Sequence, residues 1–175
     1  KDLGRLDEAE ASYRQAIAVD SGYAEAHNNL GITLQEQDRL DEAEVSYRHA
    51  IKLKSDYAEA YNNLSITLKE LGRLEEAEAS CREAVKLKPD YTEAHSNLGI
   101  TLRELGRSKD AEASYRKAIA LKPDFVEAHT NLGNALRALG RLEEAEASLR
   151  KAIALKPDYA DAHYNLGITL QELGR

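Results

Sequence analysis

Apolar residues recur three or four positions apart in short blocks along the chain, and most blocks end at a glycine or a proline. In residues 92–105 the apolar positions are Ala94, Leu98, Leu102 and Leu105. In residues 141–155 they are Leu142, Ala145, Leu149, Ala152, Ile153 and Leu155. This spacing places each set on one face of an α-helix. Gly106 is expected to end the first of these helices, because glycine enters the left-handed backbone region at little cost.

Acidic pairs three residues apart precede the first helix of each block pair. They are Asp56/Glu59, Asp90/Glu93, Asp124/Glu127 and Asp158/Asp161. The spacing predicts a capping box in which the leading Asp accepts hydrogen bonds from the free amides of the first turn. Pro89, Pro123 and Pro157 come directly before three of these Asp residues and are expected to stop the preceding helix.

The phrase Leu-Gly-Arg at residues 3–5 returns with a period of 34 residues up to 173–175, with one altered copy at 37–39. A fixed period of this length is typical of stacked repeats. The whole units are 24–57, 58–91, 92–125 and 126–159, between a second half-unit at 1–23 and a first half-unit at 160–175. We therefore predict one array over residues 1–175, in which stacking covers the apolar faces that a single helix pair leaves open.

Small and large residues share defined slots in these units. Gly99 lies where a side chain would hold two helices apart, and Cys81 occupies a slot that holds tyrosine in other copies, so it is expected to be a buried structural thiol. Gln37 and Asp38 replace Leu and Gly in copy 24–57, which we predict to be the least stable internal unit.

Charge narrows the choice of partner. The formal net charge is −7, which argues against non-specific binding to nucleic acid or to an anionic membrane surface. No apolar run has the roughly 18 residues that a membrane helix needs. On the second helices, Glu recurs four residues before Arg, as in Glu44–Arg48 and Glu146–Arg150, an order that favours an ion pair on an exposed surface.

The unit, with first halves such as "AEAHNNLGITL" and second halves such as "LGRLEEAEASLRKAIALKPDY", resembles the tetratricopeptide repeat, over all 175 residues. The resemblance implies an all-α fold, a right-handed α-solenoid of antiparallel helix pairs (the superhelix of bacterial repeat arrays), with the first helices lining a concave groove. His27, His95, His129 and His163 replace the Trp that is usual in the family, and Tyr61 takes the same slot.

Family geometry places an asparagine row near the groove: Asn29, Asn63, Asn97, Asn131 and Asn165. A carboxamide both donates to a peptide carbonyl and accepts from a peptide N–H, so the row could hold an extended chain by its backbone. The row is similar to the Asn ladder in the repeat region of O-linked N-acetylglucosamine transferases; a role in helix packing stays open. Further candidate peptide-binding residues are Asn28, Asn62, Lys69, Arg103 and Arg137.

Two other rows follow from the same family geometry. Glu25, Glu59, Glu93, Glu127 and Asp161 form an acidic row, for which helix capping is the favoured reading. Ile32, Ile66, Ile100 and Ile168 form an apolar row that Asn134 interrupts. A ligand of mixed charge would suit such a groove.

The candidate chemistry for catalysis is weak. Histidines one unit apart lie about 10 Å from each other if neighbouring helices pack at the usual spacing, too far to share a zinc ion. Polar residues that recur at the period of the repeat are explained by it, and no residue set apart from the period is a convincing catalytic group, so no catalytic residue, metal site or cofactor is expected.

The leading hypothesis is therefore a non-catalytic scaffold that binds an extended peptide or a partner helix. Two alternatives stay open at this stage. The chain could be a regulatory or substrate-recruiting arm of a larger enzyme such as a glycosyltransferase, or an array that associates end to end through its half-units at 1–23 and 160–175. A cytoplasmic location is the expectation.

Overall fold

The computed structural model describes residues 3–175, and within that range it contains ten α-helices and no strand. The helices are α1 (Leu3–Val19), α2 (Ala24–Glu36), α3 (Leu40–Leu53), α4 (Ala58–Glu70), α5 (Leu74–Leu87), α6 (Thr92–Glu104), α7 (Ser108–Leu121), α8 (Val126–Ala138), α9 (Leu142–Leu155) and α10 (Ala160–Glu172). Connections of three or four residues join them, and links this short make consecutive helices antiparallel within α1–α5 and within α6–α10. We refer to α2, α4, α6, α8 and α10 as first helices and to the others as second helices.

The first helices end in left-handed turns, as Gly106 predicted. Gly106 has φ +75° in the turn after α6, and the next amide, that of Arg107, donates to the carbonyl of Leu102 at 2.8 Å. These bonds satisfy carbonyls that the helix end would otherwise leave open. After α2 the same position is Asp38, which has φ +62° and is the only non-glycine residue with positive φ among the described residues.

The predicted capping boxes are wrong. The N-cap positions of α2, α4, α6, α8 and α10 are Tyr23, Tyr57, Tyr91, Phe125 and Tyr159, and none makes a side-chain cap hydrogen bond. Asp56 lies one residue before the N-cap of α4, inside a turn in which the Tyr57 amide donates to the Lys54 carbonyl at 3.2 Å. Asp56 therefore belongs to the turn before α4, while Glu59 belongs to the first turn of the helix. The three-residue spacing of the two acids does not mark a capping box.

The chain divides into two compact units, Lys1–Pro89 with α1–α5 and Asp90–Arg175 with α6–α10. Within each unit every helix packs against the next one along the chain, and neighbouring first helices also touch. In the N-terminal unit the core joins several helices through residues such as Leu34, Tyr47 and Leu68. The assignment of residues 1–175 to one array stays a prediction.

Close approach of the paired helices depends on small residues opposite large ones. A Cβ added to Gly31 would lie 2.6 Å from Tyr47, and one added to Gly99 would lie 2.5 Å from Tyr115. Both tyrosines are fully buried, and Cys81 in the same slot is also buried, as predicted.

Ion pairs follow the second helices in the order that the sequence predicted. The five Glu–Arg pairs four residues apart are Glu10–Arg14, Glu44–Arg48, Glu78–Arg82, Glu112–Arg116 and Glu146–Arg150. The arginine of the Leu-Gly-Arg phrase adds contacts that the sequence reading missed. Arg73 reaches back to Glu44 at 2.6 Å and forward to Glu76 at 2.6 Å, so it joins α3 to α5.

We expect acid to weaken the fold because of these ion pairs. Burial raises the pKa of Glu10, but hydrogen bonds from Arg14 and Arg39 outweigh it and hold the pKa below the ordinary 4.5. The pKa of Glu76 is likewise lowered, first by the hydrogen bond from Arg73. A carboxylate with a lowered pKa stabilises the fold above its unfolded pKa, and this stabilisation is lost as the pH falls through the folded value.

The melting temperature should therefore stay level from pH 7 to about 5 and fall below that. Thermal unfolding followed by circular dichroism across this range measures it. The Arg73→Gln variant is the matched control: it removes the partner of Glu76 and should show a shallower decline. A melting temperature that stays level down to about pH 3 would contradict the expectation.

Asp38→Gly is expected to stabilise the N-terminal unit by about 0.5–1 kcal/mol, because an L side chain is disfavoured at φ +62°. The reverse change, Gly72→Asp, places Asp at φ +75° in the next copy and should cost a similar amount. Urea unfolding of both variants and of the parent protein measures the two changes in stability.

Copy 24–57 is predicted to be the least stable internal unit, and hydrogen exchange in α2 and α3 tests this. Equally slow exchange in these helices and in α4 and α5 would contradict the prediction.

Candidate functional site

The asparagine row lies at equivalent positions on the first helices, and every member is partly exposed: Asn29, Asn63, Asn97, Asn131 and Asn165. Asn165 donates to the Asp161 carbonyl at 2.8 Å within its own helix, whereas Asn131 makes no side-chain hydrogen bond to the described residues. The row is thus placed where its carboxamides can be reached, but its members do not share one hydrogen-bonding pattern.

Asn28 and Asn62 lie one residue before row members and are buried, with 4% and 5% of their surface exposed. Asn63 donates to the Oδ1 atom of Asn28 at 3.1 Å, and Asn28 donates to Oδ1 of Asn29 at 3.4 Å. This chain of carboxamides connects α2 to α4. Asn28 is therefore placed to orient Asn29 and Asn63, and its own contact with a peptide stays a prediction, as does that of Asn62.

Gln35 is the centre of a second polar network in the N-terminal unit. Its carbonyl oxygen accepts from the Tyr47 hydroxyl at 3.1 Å and from the Thr67 hydroxyl at 3.2 Å. Its amide donates to the Glu70 carboxylate at 3.0 Å. Burial, together with the charges of Glu70 and Glu36, raises the pKa of Tyr47, so its hydroxyl stays a donor.

A recess of about 480 Å³ opens beside this network. Its lining includes Ile32, Asn63 and the carboxylates of Glu36 and Glu70. A member of the asparagine row, a member of the apolar row and the Gln35 network thus meet at one depression, which is large enough for a side chain of a bound peptide.

The three basic candidates differ in their environments. Arg137 is half-buried and pairs with Glu172 at 2.9 Å. The contact parallels that between Gln35 and Glu70, since each joins one first helix to the first helix of the next repeat. Lys69 is partly exposed and makes no ion pair with the described residues. Arg103 is exposed and has no carboxylate partner within residues 3–175.

Buried polar atoms without hydrogen-bond partners gather in the C-terminal unit. In the described part of the chain they are the Tyr115 hydroxyl, Oδ1 of Asn134 and Nε of Arg137. Burial raises the pKa of Tyr115 to about 12, with Arg103 acting in the opposite direction. Arg103 therefore lies near the Tyr115 hydroxyl. The two residues occupy the repeat positions that Gln35 and Tyr47 occupy in the N-terminal unit.

Family models match the repeat along the chain. The description "Tetratricopeptide repeat" matches residues 23–90 and 56–124, and again 114–147, while "TPR repeat" matches 1–38 and 133–174. The chain belongs to the tetratricopeptide repeat family. Members of this family are protein-interaction scaffolds, and the predicted all-α fold of helix pairs is confirmed.

Solved tetratricopeptide structures resemble most of the length of the chain. A crystal structure of MamA is 26% identical, covers 90% of this chain and 92% of its own, and has a TM-score of 0.82. YrrB, described as a TPR protein with an unusual peptide-binding site, is 25% identical over 93% and 84%, with a TM-score of 0.78. TTC0263, a thermophilic TPR protein of Thermus thermophilus, is 27% identical over 97% and 92%, with a TM-score of 0.75. No curated protein sequence matches the chain.

Two members of the acidic row in this tetratricopeptide array, Glu25 and Glu59, form ion pairs with lysines in addition to hydrogen bonds with their own first-turn amides. Lys54 lies 3.3 Å from Glu25, and Lys88 lies 3.0 Å from Glu59, so each acid joins the start of a first helix to the end of the second helix in its own repeat. A hydrogen bond with its own amide, followed by one with Lys54, lowers the pKa of Glu25. These two carboxylates are therefore already engaged with lysines.

The repeat histidines have a structural role. Nε2 of His129 lies 2.9 Å from the Pro123 carbonyl, and Nε2 of His163 lies 2.8 Å from that of Pro157, so each ring fastens a first helix to the turn before it. Within residues 3–175 no three His, Cys, Asp or Glu side chains are grouped as metal ligands would be. No helix in the same range is both long enough and apolar enough to cross a membrane.

Another recess, of about 470 Å³, lies among α7, α8 and α9. Its walls include Ile119, Leu132 and Leu136, and no residue of the predicted peptide-binding set lines it. The first-helix residues therefore remain the candidate site.

Proposed function

We propose that the first helices bind an extended peptide of a partner protein by contacting the main chain of that peptide. The observation that carries the proposal is the partly exposed asparagine row, two members of which are oriented by the buried Asn28. Side chains fixed before binding lose less conformational entropy when a ligand arrives. The peptide-binding site named for the structurally similar YrrB supports a ligand of this class.

The remaining hydrogen-bonding capacity of the row suits a peptide backbone. A carboxamide has two N–H donors and one oxygen acceptor. Asn63 uses one donor toward Asn28, which leaves its oxygen and a second donor for a ligand. Asn131 keeps its full capacity with respect to the described residues. Alternating N–H and C=O groups of an extended chain match such donor and acceptor pairs.

Charge favours a peptide over other polymers. Lys69 and Arg103 provide positive charge, while Glu36 and Glu70 lie at the recess in the N-terminal unit. A surface of mixed sign on a chain with net charge −7 suits a peptide that carries both signs, and it does not suit a polyanion. The proposal includes a cytoplasmic location for the protein and for the partner that carries the peptide.

A peptide array probed with the protein tests the function. Changing Asn63, Asn97 and Asn131 together to Ala should weaken binding to selected peptides at least about tenfold, since each neutral hydrogen bond contributes about 0.5–1.5 kcal/mol. The matched control changes three exposed residues of second helices, Gln15, Lys117 and Lys151, to Ala. Equal melting temperatures establish that both variants fold. Binding that survives the asparagine changes would remove the row from the mechanism.

A further inference from the structure

The polar network around Gln35 provides an internal reference for the C-terminal unit. In the N-terminal unit this side chain has three partners: the hydroxyls of Tyr47 and Thr67, and the Glu70 carboxylate. The first helix α2 thus contacts the next one, α4, through a hydroxyl and an acid one repeat later. The contact between Arg137 and Glu172 repeats the acidic part of this arrangement.

Two repeats later, 68 residues along the chain, the same four slots hold different residues. Arg103 takes the place of Gln35, and Tyr115 takes the place of Tyr47, but alanine replaces both remaining partners, at 135 and 138. The hydroxyl and the carboxylate that satisfy the network are therefore missing. Gln35 accepts from the Tyr47 hydroxyl, but a guanidinium has no acceptor atom, so Arg103 leaves the buried Tyr115 hydroxyl without one. The alanine at 138 explains why Arg103 has no acid partner among the described residues.

Residues on α8 lie beside the place where the hydroxyl and the carboxylate of the Gln35 network are missing. Asn131, Ala135 and Ala138 follow one another at spacings of four and three, so they lie on one face of the helix. Asn134 stands where other repeats have isoleucine, and its buried Oδ1 atom has no partner in the described part of the chain. A guanidinium without an acid partner among the described residues, a buried hydroxyl and two carboxamides thus occur together here. In the next repeat, by contrast, Arg137 pairs with Glu172, and the other first helices have isoleucine in the slot of Asn134.

We propose that this place in the C-terminal unit binds a carboxylate side chain, Asp or Glu, of the peptide. The inference rests on the proposed peptide-binding function and names one residue of its ligand. The carboxylate substitutes for the acid that Ala138 lacks and accepts hydrogen bonds from Arg103, whose planar guanidinium suits a two-oxygen acceptor. Asn131 holds the adjoining backbone. Arg137 does not compete, because Glu172 already occupies it.

The test uses two synthetic glycine–serine peptides that differ only in a central Glu or Gln, titrated into the isotopically labelled 175-residue protein. Nuclear magnetic resonance follows the Nε–H signal of Arg103 and the carboxamide signals of Asn131. We expect the Glu peptide to bind about three- to tenfold more tightly, and added salt to reduce this preference. If both peptides bind and their affinities are equal, the carboxylate site is overturned.

The Ala138→Glu variant restores the acid found in other repeats and should abolish the preference for the Glu peptide. Ala138 is exposed at the end of α8, so the change is compatible with folding. Ala113→Glu, an equal charge change at an exposed site on α7, is the matched control and should keep the preference. A preference that persists in Ala138→Glu contradicts the assignment of the site.

Glutarate alone separates this inference from the proposed function. It should shift the Arg103 Nε–H signal in the parent protein and leave it unmoved in Ala138→Glu. If neither peptide binds but glutarate behaves in this way, the backbone-binding function fails and the carboxylate site stands. If glutarate has no effect on Arg103 in the parent protein, the carboxylate site fails, whatever the peptides do.

Discussion

Replacing Gly99 by Ser is expected to destabilise the C-terminal unit by about 2–3 kcal/mol. The added Cβ would lie 2.5 Å from Cε1 of Tyr115, closer than carbon atoms can approach. Tyr115 is fully buried and cannot turn aside without moving its neighbours, so α6 and α7 must separate. Urea unfolding measures the change. A loss below about 0.5 kcal/mol would contradict this account of the helix contact.

The chain contains its own solution to this clash, which gives a sharper test. In copy 58–91 the same two slots hold Ser65 and Cys81, and both are buried. The Ser65 hydroxyl donates to the Asn62 carbonyl at 2.6 Å, so its oxygen is satisfied within the helix. Small opposite large and medium opposite medium are thus two packings of one contact.

Tyr115→Cys alone should cost about 3–4 kcal/mol, because it leaves a cavity above Gly99. The double variant Gly99→Ser/Tyr115→Cys reproduces the natural Ser65–Cys81 pair and should recover at least about 1.5 kcal/mol relative to the sum of the single changes. As a control, Gly167→Ser on α10 meets open space and should change stability little. Additive single effects would show that the two slots are independent.

The sequence predicted features that depend on neighbours along the chain. Gly106, Gly99 and the Glu–Arg pairs were identified because a left-handed turn, a close helix contact and a four-residue spacing each leave a local signal. The capping boxes failed for a local reason as well. The acidic spacing matches a cap, but the N-cap of α4 is Tyr57 and not Asp56, and Glu59 bonds its own amide and pairs with Lys88.

Other features required the packed structure. The bridge from Arg73 to Glu44 joins residues 29 apart, and the contact between Gln35 and Glu70 joins residues 35 apart. Only adjacent helices in a stack bring such positions together. The sequence shows that Ala138 replaces an acid found in the other repeats. Only the structure shows that the equivalent acid, Glu70, contacts the residue equivalent to Arg103, which is Gln35.

Leu136→Ala is expected to destabilise the protein by about 3 kcal/mol, because this leucine lies on α8 with 1% of its surface exposed. Its counterpart Leu170, on α10, is only partly buried. Leu170→Ala should therefore cost about 1 kcal/mol, since the lost contacts and the remaining cavity are smaller. Urea unfolding of the two variants measures the difference, which reports how much of each leucine's contribution comes from repeats packed on both sides. Equal losses would mean that stability is set within a single helix pair, and the stacking that positions the first helices for a ligand would then need another source.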